Sequence, residues 1–171
     1  MIRHAALHDA SAVADIYNHY IESTAITFEE TPLQAAEIAA RIQHVQAAGL
    51  PWLVALEGNA LTGYAYATKW KERSAYRFTV ETTVYVAPNG HGKGVGTALY
   101  QALIERLKIL KVNSVIGGIT LPNPASIALH EKMGMKKVAH FQNIGYKFGQ
   151  WQDVGYWQLN LQTVPGLDSS P

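Results

Sequence analysis

The residues with the plainest chemical potential run Val84-Tyr85-Val86-Ala87-Pro88-Asn89-Gly90-His91-Gly92-Lys93-Gly94-Val95-Gly96-Thr97-Ala98-Leu99. The apolar alternation before Pro88 predicts a strand, the glycines a tight turn, and Val95 onward an amphipathic helix. Glycines at 92, 94 and 96 strip the side chains from both sides of Lys93. Main-chain N–H groups can then converge on an anion, with the positive end of the helix dipole behind them. A pyrophosphate suits such a cradle. Spacing excludes two common owners of one. A Walker loop needs Ser or Thr after Gly-Lys, where this chain has Gly94, and a dinucleotide fingerprint needs Gly-x-Gly-x-x-Gly, whereas these glycines fall at every second position. Glycines serving turn geometry alone are the plain alternative.

Composition limits the rest. The 171 residues hold 14 basic and 13 acidic side chains, a net charge of +1, which leaves no electrostatic footprint for nucleic acid or an anionic membrane. An anionic ligand must be held locally. There is no cysteine, which removes disulfides, a thiol nucleophile and thiolate metal ligands together. The seven histidines show no ligand spacing, so no metal is expected. Neither a signal-like apolar run nor the roughly 18 apolar residues of a membrane span occurs, and a cytoplasmic location is expected.

The elements that must position the turn follow from periodicity. A short strand at 1–6 precedes a helix capped by Asp9 or Ser11 and running through Ile16, Tyr17 and Tyr20. Thr27–Glu30 reads as a loop. Thr31-Pro32 reads as a second helix start, with Leu33, Ile38, Ile42 and Val45 at helical spacing. Strands at 52–56 and 62–70 flank a turn at Glu57–Ala60, and 69–77 is a polar, aromatic-rich connection. The strand at 78–87 carries Val80, Thr82, Val84 and Val86 on one face and Glu81, Thr83 and Tyr85 on the other. After the helix at 95–110 come a strand at 115–120, a short helix at 124–133, a strand at 137–141 and an apolar run at 154–161. This is an α+β pattern with α/β-type layers: one domain over 1–163, with a mixed, mostly antiparallel sheet, helices on both faces and a loose tail at 164–171.

Strand, then Gln/Arg-x-x-Gly-x-Gly/Ala, then helix is the acetyl-coenzyme A signature of the GNAT superfamily of N-acetyltransferases, and His91-Gly92-Lys93-Gly94-Val95-Gly96 resembles it, with His91 in place of the usual Gln or Arg. Asn123-Pro124-Ala125-Ser126-Ile127-Ala128-Leu129-His130-Glu131-Lys132-Met133-Gly134-Met135 resembles the superfamily's second motif. Tyr76–Val86, Leu129-His130 and Gly145–Gly155 resemble, more narrowly, the phosphinothricin and methionine sulfoximine acetyltransferase family, over nearly the whole chain. The resemblance implies acetyl-CoA as cosubstrate, a small amine bearing a carboxylate as acceptor, and a homodimer.

It also implies roles. Glu81 becomes the general base, through a water; a carboxylate of ordinary pKa is weak for this, so burial or a relay must help. Its alternatives are a solvated strand carboxylate or an ion pair with Arg77. His130 stands where many relatives place a tyrosine near the coenzyme sulfur, and becomes a proton donor or relay unless it is structural. Val84, Tyr85 and Val86 would bind pantetheine through the main chain and supply an oxyanion N–H. Gly92, Lys93, Gly94, Val95, Gly96 and Thr97 would hold the diphosphate, Asn123 would bond the pantetheine amides, and Lys132 would reach the coenzyme unless it is a solvated lysine. On the acceptor side stand Phe28, Glu29, Arg73, Ser74, Ala75, Tyr76 and Arg77, the arginines clamping a carboxylate unless they are solvated and the aromatics core, with Met133, one helical turn after His130, lining the same cleft or packing in the core. A GNAT enzyme acting on a protein N-terminus or another amine, and a catalytically silent coenzyme-binding module, are the rival readings.

Overall fold

The computed structural model describes residues 1–162; residue 163 and the tail expected at 164–171 lie outside the described residues. In chain order the elements are β1 (Ile2–His4), α1 (Ala10–Ser23), α2 (Ala35–Ala47), β2 (Trp52–Glu57), β3 (Ala60–Lys69), β4 (Thr79–Val86), α3 (Val95–Ile109), β5 (Ser114–Leu121), α4 (Pro124–Lys132), β6 (Lys136–Lys147) and β7 (Gln150–Asn160). The seven strands form one sheet in the order β1-β2-β3-β4-β5-β7-β6. Every neighbouring pair is antiparallel except β4 and β5.

Strand alternation sends side chains to two cores. Trp52, Val54 and Tyr64 pack with Val13, Tyr17, Tyr20 and Ile21 of α1 and Ile38 and Ile42 of α2. Leu53, Ala65, Val80 and Val115 pack with Leu99, Leu103 and Leu107 of α3 on the opposite face. These three leucines are fully buried at helical spacing, and truncating any of them to alanine costs about 2–5 kcal/mol. The face assignment of β4 holds. Val80 and Thr82 are buried, while Tyr85 packs on Tyr17 and Tyr20, with ring centroids 5.2 and 4.9 Å apart.

Three local expectations change. Asp9 occupies the N-cap of α1, but its carboxylate turns back to the Ala6 N–H at 2.8 Å and to Arg3 at 2.7 and 2.8 Å. The second helix starts at Ala35 rather than Pro32. The Asn18 side chain holds the Leu33 main chain in a reciprocal pair, at 2.8 and 2.9 Å, and Glu37 takes the Gln34 N–H at 2.8 Å. Finally, β6 runs far beyond Phe141. An irregular register between Phe141 and Gly145 and the left-handed Asn143 break the alternation that would have revealed it.

Candidate active site

Strands β4 and β5 pair only through Thr79–Ser114, Val80–Val115 and Glu81–Ile116. Beyond these, β4 continues beside β3 to Val86 and β5 continues beside β7 to Leu121. A gap therefore opens between two strands that each keep one partner. The Ala87 N–H bonds to the Thr62 oxygen at 2.9 Å, and the Thr79 oxygen accepts from the Trp70 N–H at 3.3 Å. Odd-numbered residues of β4 thus point their main-chain groups at β3, and even-numbered residues, including Val84 and Val86, point theirs into the gap. The Tyr20 hydroxyl donates to the Val86 oxygen from that side at 2.6 Å.

At one end of the gap lies the glycine turn. Gly92 and Gly94 both have φ +77°, and a β-carbon on either would meet nothing within 4 Å. These left-handed residues favour glycine and leave the turn's surface bare. Gly94 is the N-cap of α3. Among the described residues, the N–H groups of Val95, Gly96 and Thr97 have no protein acceptor, as expected for a first helical turn. No acidic side chain lies in that turn. The turn, Val84, Val86, Asn123, Ser126 and Leu129 line a cleft of about 320 Å³. Unpaired amides, the dipole and the open surface fit a diphosphate, and the gap running on from them fits an extended amide chain.

At the other end, Glu81 and His130 line a continuing cleft of about 250 Å³ that shares Ile26, Val84, Tyr85, Asn123 and Ser126 with the first. Burial pushes the Glu81 carboxyl above its ordinary value, partly offset by Lys71. Among the described residues Glu81 makes no ion pair, so the alternative of an Arg77 pair does not apply. Burial pulls the His130 imidazole below its ordinary value, against a smaller opposing effect of its bond to Ser126. Its Nδ1 lies 2.7 Å from the Ser126 main-chain oxygen. A carbonyl only accepts, so Nδ1 carries the proton and Nε2 presents a lone pair. Tyr100 meets the ring edge-on at 5.1 Å, and its hydroxyl pairs with Thr82 Oγ1 at 2.5 Å.

Room for both groups comes from Gly117 and Gly118 on β5, whose missing side chains lie on opposite faces. A β-carbon on Gly117 would run into His130, and one on Gly118 would stand 3.3 Å from Glu81 Oε1 and 3.1 Å from the Tyr156 ring. Two glycines within a β-branched, apolar strand were a readable sign of close approach.

The gap gathers Glu81, His130, Val84, Tyr85, Val86, Asn123 and the glycine turn. Asn123 also caps α4, accepting from the Ser126 N–H at 3.1 Å. The Lys93 ammonium turns away, 3.8 Å from Glu57. Lys132 and Met133, at the end of α4, do not line the cleft. Arg73, Ser74, Ala75, Tyr76 and Arg77 are exposed on and around a 3-10 turn between β3 and β4. There Arg77 bonds the Ser74 oxygen at 3.0 Å and covers the Phe78 ring. Glu29 is held by Arg41 at 2.6 and 2.9 Å and by Tyr17; the Arg41 guanidinium keeps its carboxyl below the ordinary range. Sequence reasoning missed Tyr17, Ile26, Thr27, Tyr66 and Thr120, which line the end that holds Glu81 and His130. Nothing local marks them, since they arrive from four separate elements.

A model described as an acetyltransferase (GNAT) domain matches residues 2–155. The phosphinothricin N-acetyltransferase of Streptomyces viridochromogenes is 40% identical over 161 residues, covering 94% of this chain and 87% of that protein. The L-methionine sulfoximine/L-methionine sulfone acetyltransferase of Salmonella typhimurium is 36% identical over 168 residues, covering 98% of each. A solved acetyltransferase from Salmonella typhimurium, with its cofactor acetyl-CoA, superposes with a TM-score of 0.93 at 34% identity, over 99% of this chain and 98% of that one.

Proposed function

The chain belongs to the GNAT acetyltransferase family, and on that premise we propose that it acetylates the α-amino group of a small amino acid or amino-acid analogue of the phosphinothricin or methionine sulfoximine kind, with acetyl-coenzyme A as donor. One observation carries this reading. A single gap between β4 and β5 joins main-chain amides that, among the described residues, have no protein acceptor to the half-buried Glu81 carboxylate and the buried His130 imidazole.

The residues divide the work. Amides of Gly92–Thr97 hold the diphosphate, and Asn123 and the gap-facing main chain of Val84 and Val86 hold the pantetheine amides. The coenzyme supplies an activated acetyl thioester. Glu81, made more basic by burial, takes the proton of the incoming ammonium, directly or through a water. The Val84 N–H, free of β5, stabilises the thioester oxygen as it gains charge. His130 Nε2 accepts the second nitrogen proton and returns it to the departing thiolate, which the Nδ1–H tautomer permits. Arg73 and Arg77 come to the acceptor carboxylate by movement of the exposed 3-10 turn toward the cleft. With no cysteine in the chain, transfer is direct.

The protein works in the cytoplasm as a homodimer. Supporting the dimer, β6 is a sheet edge, and its hairpin with β7 exposes Val138, Phe141, Ile144, Tyr146, Phe148 and Trp151, an apolar surface of the kind that a second copy covers. Sedimentation at micromolar concentration checks it.

Thiol release decides the activity, and a cysteine-free enzyme adds no background. The purified protein and acetyl-coenzyme A are offered free amino acids, phosphinothricin, methionine sulfoximine and a short peptide. Release with a free amino acid or analogue is expected. Release with the peptide alone would move the substrate class to protein N-termini. No release with any of them, despite coenzyme binding, would leave a silent binding module.

A further inference from the structure

Lys147, the last residue of β6, is 2% exposed. Its ammonium donates to the Ile21 oxygen in the last turn of α1 at 2.7 Å and to the Thr27 oxygen at 2.9 Å. Among the described residues it makes no ion pair. Carbonyl dipoles, including the negative end of α1, and the Phe148 ring, 5.0 Å away, are what meet this charge. Burial lowers its pKa, with Glu30 and Glu29 opposing. A buried cation is a costly way to fill space, because an apolar side chain of the same length would pack without desolvating a charge.

The segment it grips is the α1–α2 connection. Ile26 and Thr27 from that loop line the cleft beside Glu81, and Phe28 and Glu29 follow directly. Two residues before Lys147, on the same buried face of β6, Gly145 receives the Phe28 ring where its own side chain would be. The end of β6 thus holds the loop twice, by its main chain and by its aromatic ring. Thr120 Oγ1, bonded to the Ile26 oxygen at 3.3 Å, ties the loop to β5. The glycine turn and its amides lie at the other end of the gap.

We propose that Lys147, with Gly145, is a positioning residue for the acceptor. Its ammonium locks the Thr27–Glu29 segment against the sheet in the conformation that closes the acceptor side of the cleft, while Ile26, which also borders the coenzyme end, is held separately by Thr120. This inference rests on the acetyl-transfer reading above.

The absence of native cysteine makes a direct test possible. Lys147→Met and Lys147→Cys are prepared, and the single cysteine is alkylated with 2-bromoethylamine while unfolded. A carbon–sulfur bond forms, bromide leaves, and an ammonium returns at lysine's length. Acceptor KM, kcat and coenzyme A affinity by calorimetry are measured on the refolded proteins. Lys147→Met is expected to raise acceptor KM by about ten-fold or more, with kcat at saturation and coenzyme affinity within about two-fold of the parent. Aminoethylation is expected to bring KM back to within about three-fold. An unchanged KM, a loss of coenzyme affinity, or a defect that aminoethylation leaves in place overturns the proposal. Where the methionine variant does not fold, Gly145→Ala, which expels the Phe28 ring, must raise acceptor KM alone; an unchanged KM there also overturns it. A parent enzyme that binds coenzyme but acetylates no amino acid would instead remove the underlying reading, and this inference with it.

Discussion

A β-carbon placed on Gly117 would stand 2.6 Å from both Nε2 and Cδ2 of His130. The imidazole cannot simply retreat, since Tyr100 meets its ring and Ser126 holds Nδ1. Gly117 and His130 therefore form one steric unit, with the backbone of β5 setting where the imidazole stops.

Gly117→Ala is accordingly expected to displace the imidazole. Overpacking of this kind costs about 1–3 kcal/mol of stability, and a misplaced catalytic group lowers kcat by about ten-fold or more. Coenzyme affinity should stay near the parent value, because neither Gly117 nor His130 lines the end of the gap that holds the glycine turn. Steady-state kinetics with calorimetric titration of coenzyme A separates the two.

Glu81→Gln is expected to lower kcat by about 10²-fold or more while coenzyme affinity is retained. The same substitution should raise thermal stability at neutral pH. Burial lifts the folded carboxyl above its usual 4.5, so the folded state binds this proton more tightly than the unfolded chain does. The resulting stability is present below pH 4.5 and lost as pH rises through the folded value. Above that value the parent carries the penalty of a partly buried charge, and Gln does not. Melting curves of both proteins from pH 4 to 8 should converge in acid and diverge toward neutrality.

His130 has the opposite sign. Its folded pKa lies below the usual 6.5, so the stability from keeping the ring neutral is present above 6.5 and lost as pH falls through the folded value. His130→Asn should flatten the acid-side fall in melting temperature, and should lower kcat by about ten-fold or more. An acid-side fall identical in both proteins would remove the assignment of a buried neutral imidazole.

Gly94→Ala tests the cradle. A β-carbon there meets no atom within 4 Å, but φ is +77°, so the cost is backbone strain of about 1–2 kcal/mol. Relaxation of the turn redirects its amides, and coenzyme affinity should weaken by about ten-fold. Gly58→Ala, in the β2–β3 turn at φ +59° with equal free space, is the control. It should show comparable strain with coenzyme affinity unchanged.

The sequence by itself determined what is local. Glycines at alternate positions, the helical spacing of Leu99, Leu103 and Leu107, the alternation along β4 and the Asn123-Pro124 helix start each express a preference of neighbouring residues, and each element stands where its pattern put it. Phase gave the face of β4 that carries Glu81. Only the tertiary structure decided that β4 and β5 part after Glu81 and Ile116, because strand partnership is a contest between segments far apart in the chain. It also set the His130 tautomer, which depends on the position of one carbonyl. The same holds for the acceptor side. Ile26 and Thr27 reach the cleft because Lys147, Thr120 and Tyr17 hold their loop from three other elements, and no residue within that loop encodes where those partners lie.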